Sequence, residues 1–144
     1  MTTTNHALTG AAIALAVKQP ELAILLALAS HFAVDAVPHY GYDGGGFGDA
    51  FKHKMTFVSE AINIIGIPLL VYLLWRQSIW AWLAAFAAVS PDLMWVYRYF
   101  WFERKGLTPP TGPITKFHIK IQWAERPWGV AVEYAYFALI ATLV

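Results

Sequence analysis

Six acids and histidines stand inside or beside the long apolar segments of this chain: His31, Asp35, His39, Glu60, Asp92 and Glu133. A charged side chain in mid-bilayer costs a few kcal/mol or more, so such residues face a bundle interior and carry function. The densest group is Ser30-His31-Phe32-Ala33-Val34-Asp35-Ala36-Val37-Pro38-His39. On a helix, His31 and Asp35 are one turn apart on one face. That spacing can bring an imidazole and a carboxylate to a single metal ion.

The apolar segments themselves predict the fold class. Of 144 residues, 58% are hydrophobic and 13% are charged, against roughly 25% charged in soluble domains. We expect an all-α integral membrane bundle in one domain covering residues 1–144. Five helices are predicted, at about Thr4 to Val17, Glu21 to Val37, Met55 to Trp75, Ile79 to Phe102, and Trp128 to the C-terminus. A span needs about 20 apolar residues. The third and fourth segments meet that, the second and fifth are marginal, and the first falls short. Pro91 should kink the fourth helix, because it removes a backbone donor.

Two long connections separate these helices. Tyr40 to Lys54 is glycine-rich but lacks the Gly-Lys-Ser/Thr ending of a phosphate loop, and reads as an interfacial loop. Within it, Lys52-His53-Lys54 reads as a solvated charge run. The second connection, Glu103 to Pro127, is broken by Pro109, Pro110 and Pro113. From Ile114 to Glu125 it mixes apolar and basic residues, as an amphipathic segment at the membrane surface does. His118 lies there, as either a surface residue or a lid on a site.

Basic residues set the expected orientation. Lys52, Lys54, Arg98, Arg104, Lys105, Lys116, Lys120 and Arg126 fall on the side shared by the N-terminus and both long loops. That side should be cytoplasmic, placing the protein in the cytoplasmic (inner) membrane with its N-terminus inside. No cleaved signal peptide is expected, since no basic region precedes the first apolar stretch. Trp75, Trp80, Trp82, Trp101, Trp123 and Trp128 lie near predicted span ends, as an aromatic belt would.

On this topology the polar residues converge on one half of the bundle. His6, His31, Asp35, His39 and Asp92 are the candidate metal ligands, and Glu60 and Glu133 the candidate general bases. The chain has no cysteine, so a metal must use nitrogen and oxygen donors, which suit zinc, manganese or iron(II). Zinc is the leading expectation. Gly10, with Ala7, Ala11 and Ala14 nearby, should let the first helix approach its neighbours closely. The net charge of +1 gives no reason to expect nucleic-acid binding.

Three short motifs add a family. His6-Ala-Leu-Thr9-Gly10, Ser30 to His39, and Ser90-Pro91-Asp92 together resemble the small bacterial and archaeal membrane-bound metal-dependent hydrolases. The resemblance implies a helical membrane protein with a metal-assisted hydrolytic site. The expected activity is hydrolysis of a lipid or lipid-linked phosphoester at the cytoplasmic leaflet, with Lys52, Lys54 or Arg126 holding the anionic head group. Other readings are a small transporter or proton relay, a haem-binding electron carrier, and a non-catalytic membrane protein with a structural polar cluster.

Overall fold

The computed structural model describes residues 1–41 and 54–144. The glycine-rich stretch, with Lys52 and His53, lies outside the described residues. Seven α-helices occur among those described: α1 Thr3–Ala16, α2 Pro20–Asp35, α3 Lys54–Leu74, α4 Ile79–Val89, α5 Leu93–Trp101, α6 Pro113–Ile121 and α7 Gly129–Ala141. No strand is present among them, and one isolated bridge joins His39 to Glu125.

Local chemistry explains the boundaries. Pro20 opens α2 at the first helical turn, where its missing N–H is not needed. The predicted fourth helix is divided: α4 passes through a 3-10 turn at Ser90–Asp92 before α5 begins. Pro91 is the cause, since it offers no donor to the carbonyl of Ala87. That carbonyl instead accepts the Ser90 hydroxyl at 2.9 Å. The predicted interfacial segment forms α6, opened by Pro113, and ends in a 3-10 turn at Gln122–Ala124.

α1 is the central helix, packed against α2, α3, α4 and α7. Every residue from Thr4 to Ala11 is buried. Gly10 makes this possible at the α1–α4 crossing: a Cβ there would lie 2.4 Å from the carbonyl oxygen of Ala84. A shared apolar core, including Leu8, Ala11, Leu74, Ala85 and Ile140, fills one end of the bundle.

The outer helices are apolar outward. Thr56–Leu74 and Ile79–Lys105 are long and apolar enough to cross a membrane, and Gly129–Ala141 is a shorter apolar helix. Only 28% and 22% of the apolar windows of the two longer segments are buried, so most of their apolar side chains face outward. Ile64, Ile65, Tyr72, Trp75, Trp101, Trp123 and Trp128 are exposed, while Thr4, Asn5, His6, His31, Asp35, His118 and Glu133 are almost fully buried. Large apolar groups outside, with a buried polar cluster beside the apolar core, depart from the usual soluble pattern.

Candidate metal centre

The site is assembled at one end of the bundle by four segments. α1 supplies His6, α2 supplies His31 and Asp35, the 3-10 turn after α4 supplies Asp92, and α6 supplies His118. α2 stays helical through Asp35, so His31 and Asp35 keep the one-turn spacing.

Asp35 is the hub. Its Oδ1 lies 2.7 Å from the Met1 amine and 3.0 Å from His6 Nε2. Its Oδ2 lies 3.0 Å from His118 Nε2 and 3.3 Å from His31 Nε2. Asp92 stands slightly further off, with Oδ1 3.7 Å from His31 Nε2 and 3.9 Å from His118 Nε2. Its Oδ2 is 3.9 Å from His6 Nε2.

One ligand atom from each of His31, Asp35, Asp92 and His118 falls within 4.8 Å of the others, so this group could hold a metal ion. The donor chemistry fits. The Nδ1–H of His31 donates to the carbonyl of Ala88 at 2.8 Å. In the neutral ring this leaves the lone pair on Nε2, the arrangement by which a backbone carbonyl orients a metal-binding imidazole. That Nε2 faces the Nε2 of His118 at 3.2 Å. Two donors bonded at about 2.0–2.1 Å to one tetrahedral ion stand about 3.3 Å apart, so the spacing matches two ligands sharing an ion. His6 is fully buried, stacked on His31 with ring centroids 4.1 Å apart. Neither of its ring nitrogens has a hydrogen bond of good geometry. A buried polar group without a partner is costly, and its Nε2 is directed at the same cluster.

The remaining expected residues occupy other places. His39 is not brought into this group. α2 ends at Asp35, and the chain runs extended past Pro38, so His39 leaves the helical face that carries His31 and Asp35. Its Nδ1–H donates to the carbonyl of Val37 at 2.8 Å, and its Nε2 lies 3.7 Å from Glu125 Oε1. Glu60 accepts a 2.7 Å bond from the Asn63 amide, whose oxygen accepts the Thr4 N–H at 2.9 Å. Glu133 is 1% exposed and accepts the Ser59 hydroxyl at 2.5 Å. Arg126 is exposed, and its Nη1 donates to the carbonyls of Trp123 and Glu125 at 3.3 and 2.6 Å. Lys54 is exposed.

His118 is the residue that sequence reasoning placed least well. α6 turns Thr115 and His118 inward and leaves Ile114, Phe117 and Ile119 exposed. The i, i+3 spacing of Thr115 and His118 was the available signal.

Two cavities flank the group. One, of about 310 Å³, is polar and is lined by His39, Glu60, Asn63, Asp92, Trp95 and Glu125 among others, but not by Glu133. The other, of about 590 Å³, is apolar and lies between α2, the 3-10 turn and α6.

Comparison with protein-family models, with curated proteins and with solved structures finds no match.

Proposed function

We propose that this protein is an integral membrane, metal-dependent hydrolase of a lipid or lipid-linked phosphoester, working at the cytoplasmic leaflet. The observation that carries the reading is the convergence on Asp35 of three buried imidazoles, one of them fixed in its tautomer by the Ala88 carbonyl. A structural hydrogen-bond network would not need three Nε2 atoms around one carboxylate with a second carboxylate beside them. The one-sided basic residues support the orientation, the two long apolar helices support the membrane setting, and the three sequence motifs support the chemistry.

His31, Asp35, Asp92 and His118 would hold the ion, with His6 as a further donor; zinc suits this set, and manganese or iron(II) is compatible with it. A divalent ion in such a site supplies Lewis acidity toward phosphoryl oxygens and a water-derived nucleophile near neutral pH. Glu60 is better placed than Glu133 as general base. It shares the polar cavity with Asp92 and is oriented by Asn63, whereas Glu133 is sealed behind Ser59. The proton-relay reading is less well supported, because an apolar cluster that includes Leu8, Leu74, Ala85 and Ile140 fills the other end of the bundle.

Purified full-length protein should carry zinc, manganese or iron in near-integral amounts and hydrolyse bis(p-nitrophenyl) phosphate in a chelator-sensitive manner. Protein that takes up none of these ions overturns the reading. Cysteines at Gln77 and Thr111 should label from opposite sides of intact cells, with Gln77 outside.

A further inference from the structure

The apolar cavity beside the metal group has a chemistry of its own. Its walls are Leu28 and Phe32 of α2, Pro91 of the 3-10 turn, and Ile114 and Phe117 of α6, with Ser90 the one polar contributor. The Ser90 hydroxyl is already committed to the carbonyl of Ala87, so the lining offers little to a polar ligand. At about 590 Å³ it falls within the range of about 300–1,000 Å³ typical of ligand sites.

Its position is the informative part. Three wall residues are chain neighbours of three candidate ligands: Phe32 follows His31, Pro91 precedes Asp92, and Phe117 precedes His118. Phe32 also stacks edge-on against both the His31 and His118 rings, at 5.2 and 5.7 Å. Across the 3-10 turn, Pro91 lines the apolar cavity while Asp92 lines the polar one. The candidate metal group therefore lies at the boundary between an apolar compartment and a polar one. The apolar side is continuous with exposed apolar surface: Leu28 is followed one turn back by Leu25, 64% exposed, and Ile114 is 72% exposed. A hydrocarbon chain can enter there sideways without crossing water.

We propose that this groove seats one hydrocarbon chain of an amphiphilic substrate whose phosphate is drawn to the metal group, with the rest of the head in the polar cavity. The inference rests on the metal-hydrolase reading and names the substrate as a single-chain or chain-splayed lipid phosphoester entering from the bilayer between α2 and α6.

The test uses the full-length protein in phosphatidylcholine nanodiscs, loaded with zinc, and dodecyl phosphate carrying a diazirine at the chain end. After illumination, adducts are mapped by mass spectrometry and bound zinc is measured in the same sample. Adducts at Phe32, Ile114 and Phe117 should exceed those at Ile64 and Ile65, exposed on α3, by about tenfold, because a tethered head raises the local concentration of its chain. Chelation should return them to the α3 level. The Ile114→Trp variant, which narrows the groove, should keep its zinc and lose the excess labelling at Phe32. Uniform labelling with zinc bound overturns the chain seat and leaves the metal centre standing. Protein that binds no zinc and labels identically with and without chelator overturns both.

Discussion

The two halves of α1 are held by different forces. From Thr4 to Thr9 the helix is buried, and several of its polar groups reach across to neighbouring helices. The Thr4 N–H bonds Asn63, the Asn5 amide donates to the carbonyl of Glu133, and the Thr9 hydroxyl meets Tyr136 at 2.8 Å. His6 points to Asp35. From Gly10 onward nothing polar remains, and the contact with α4 is close approach, backbone against alanine. The first half is specified by direction and the second by distance. A short helix with Thr, Asn and His on it can occupy the centre of this bundle because its neighbours, not its own composition, cover it.

The largest test of this contrast is Asp35→Asn. It preserves size while replacing the carboxylate on which three imidazoles converge, and a neutral amide is a far poorer ligand for a divalent ion. Bound metal and phosphodiesterase activity should both be lost with the far-UV circular dichroism unchanged. Full metal retention would assign the polar half a purely structural role. Next, His118→Ala should weaken zinc binding by at least the about 10–100-fold that loss of a supporting residue costs, read by competition with a chromophoric chelator. Wild-type affinity would return α6 to a surface role.

The apolar half is broken at Gly10. Gly10→Ala should cost about 1–3 kcal/mol as an overpacked contact, measured by denaturant unfolding in detergent, with zinc stoichiometry unchanged. A variant as stable as the parent would show that the crossing tolerates wider spacing. The smallest effect is expected for His39→Gln. It disturbs the Val37 bond and the Glu125 contact, for roughly 0.5–1.5 kcal/mol, and should leave zinc affinity intact. Weakened binding would make His39 a ligand after all.

Much of the fold was legible because apolar length and proline position are local signals. The bounds of α1, α2 and α3 fall within a residue or two of those expected, α7 starts one residue late and ends three before the expected C-terminal limit, and Pro91 interrupts the fourth segment as its missing donor requires. The site was legible where one helix turn set the geometry, as for His31 and Asp35. It was illegible where tertiary packing decides. His118 sits on a helix read as surface-bound because amphipathic segments usually turn their polar face to water, yet α6 turns its histidine to the protein interior. His39 shares a sequence motif with His31 but not a helix, since its orientation is set by pairing with Glu125, far away in the chain. The carbonyl of Ala88 that fixes His31 is a backbone group, and side-chain identities carry no record of it.

The segments that meet at Asp35 are far apart in the chain, and the last of them, α6, follows the other three in order of synthesis. An ion bound jointly by His6 and His118 would act as a cross-link closing a loop of about a hundred residues, a constraint worth about 4–5 kcal/mol in the chain-entropy treatment of such closures. Loading would then double as a fastener. A nascent chain lacking α6 would have no completed site to retain the ion, and a finished chain deprived of metal would lose the tie that pins α6 to the bundle, making protease sensitivity near Pro113 a direct gauge of occupancy.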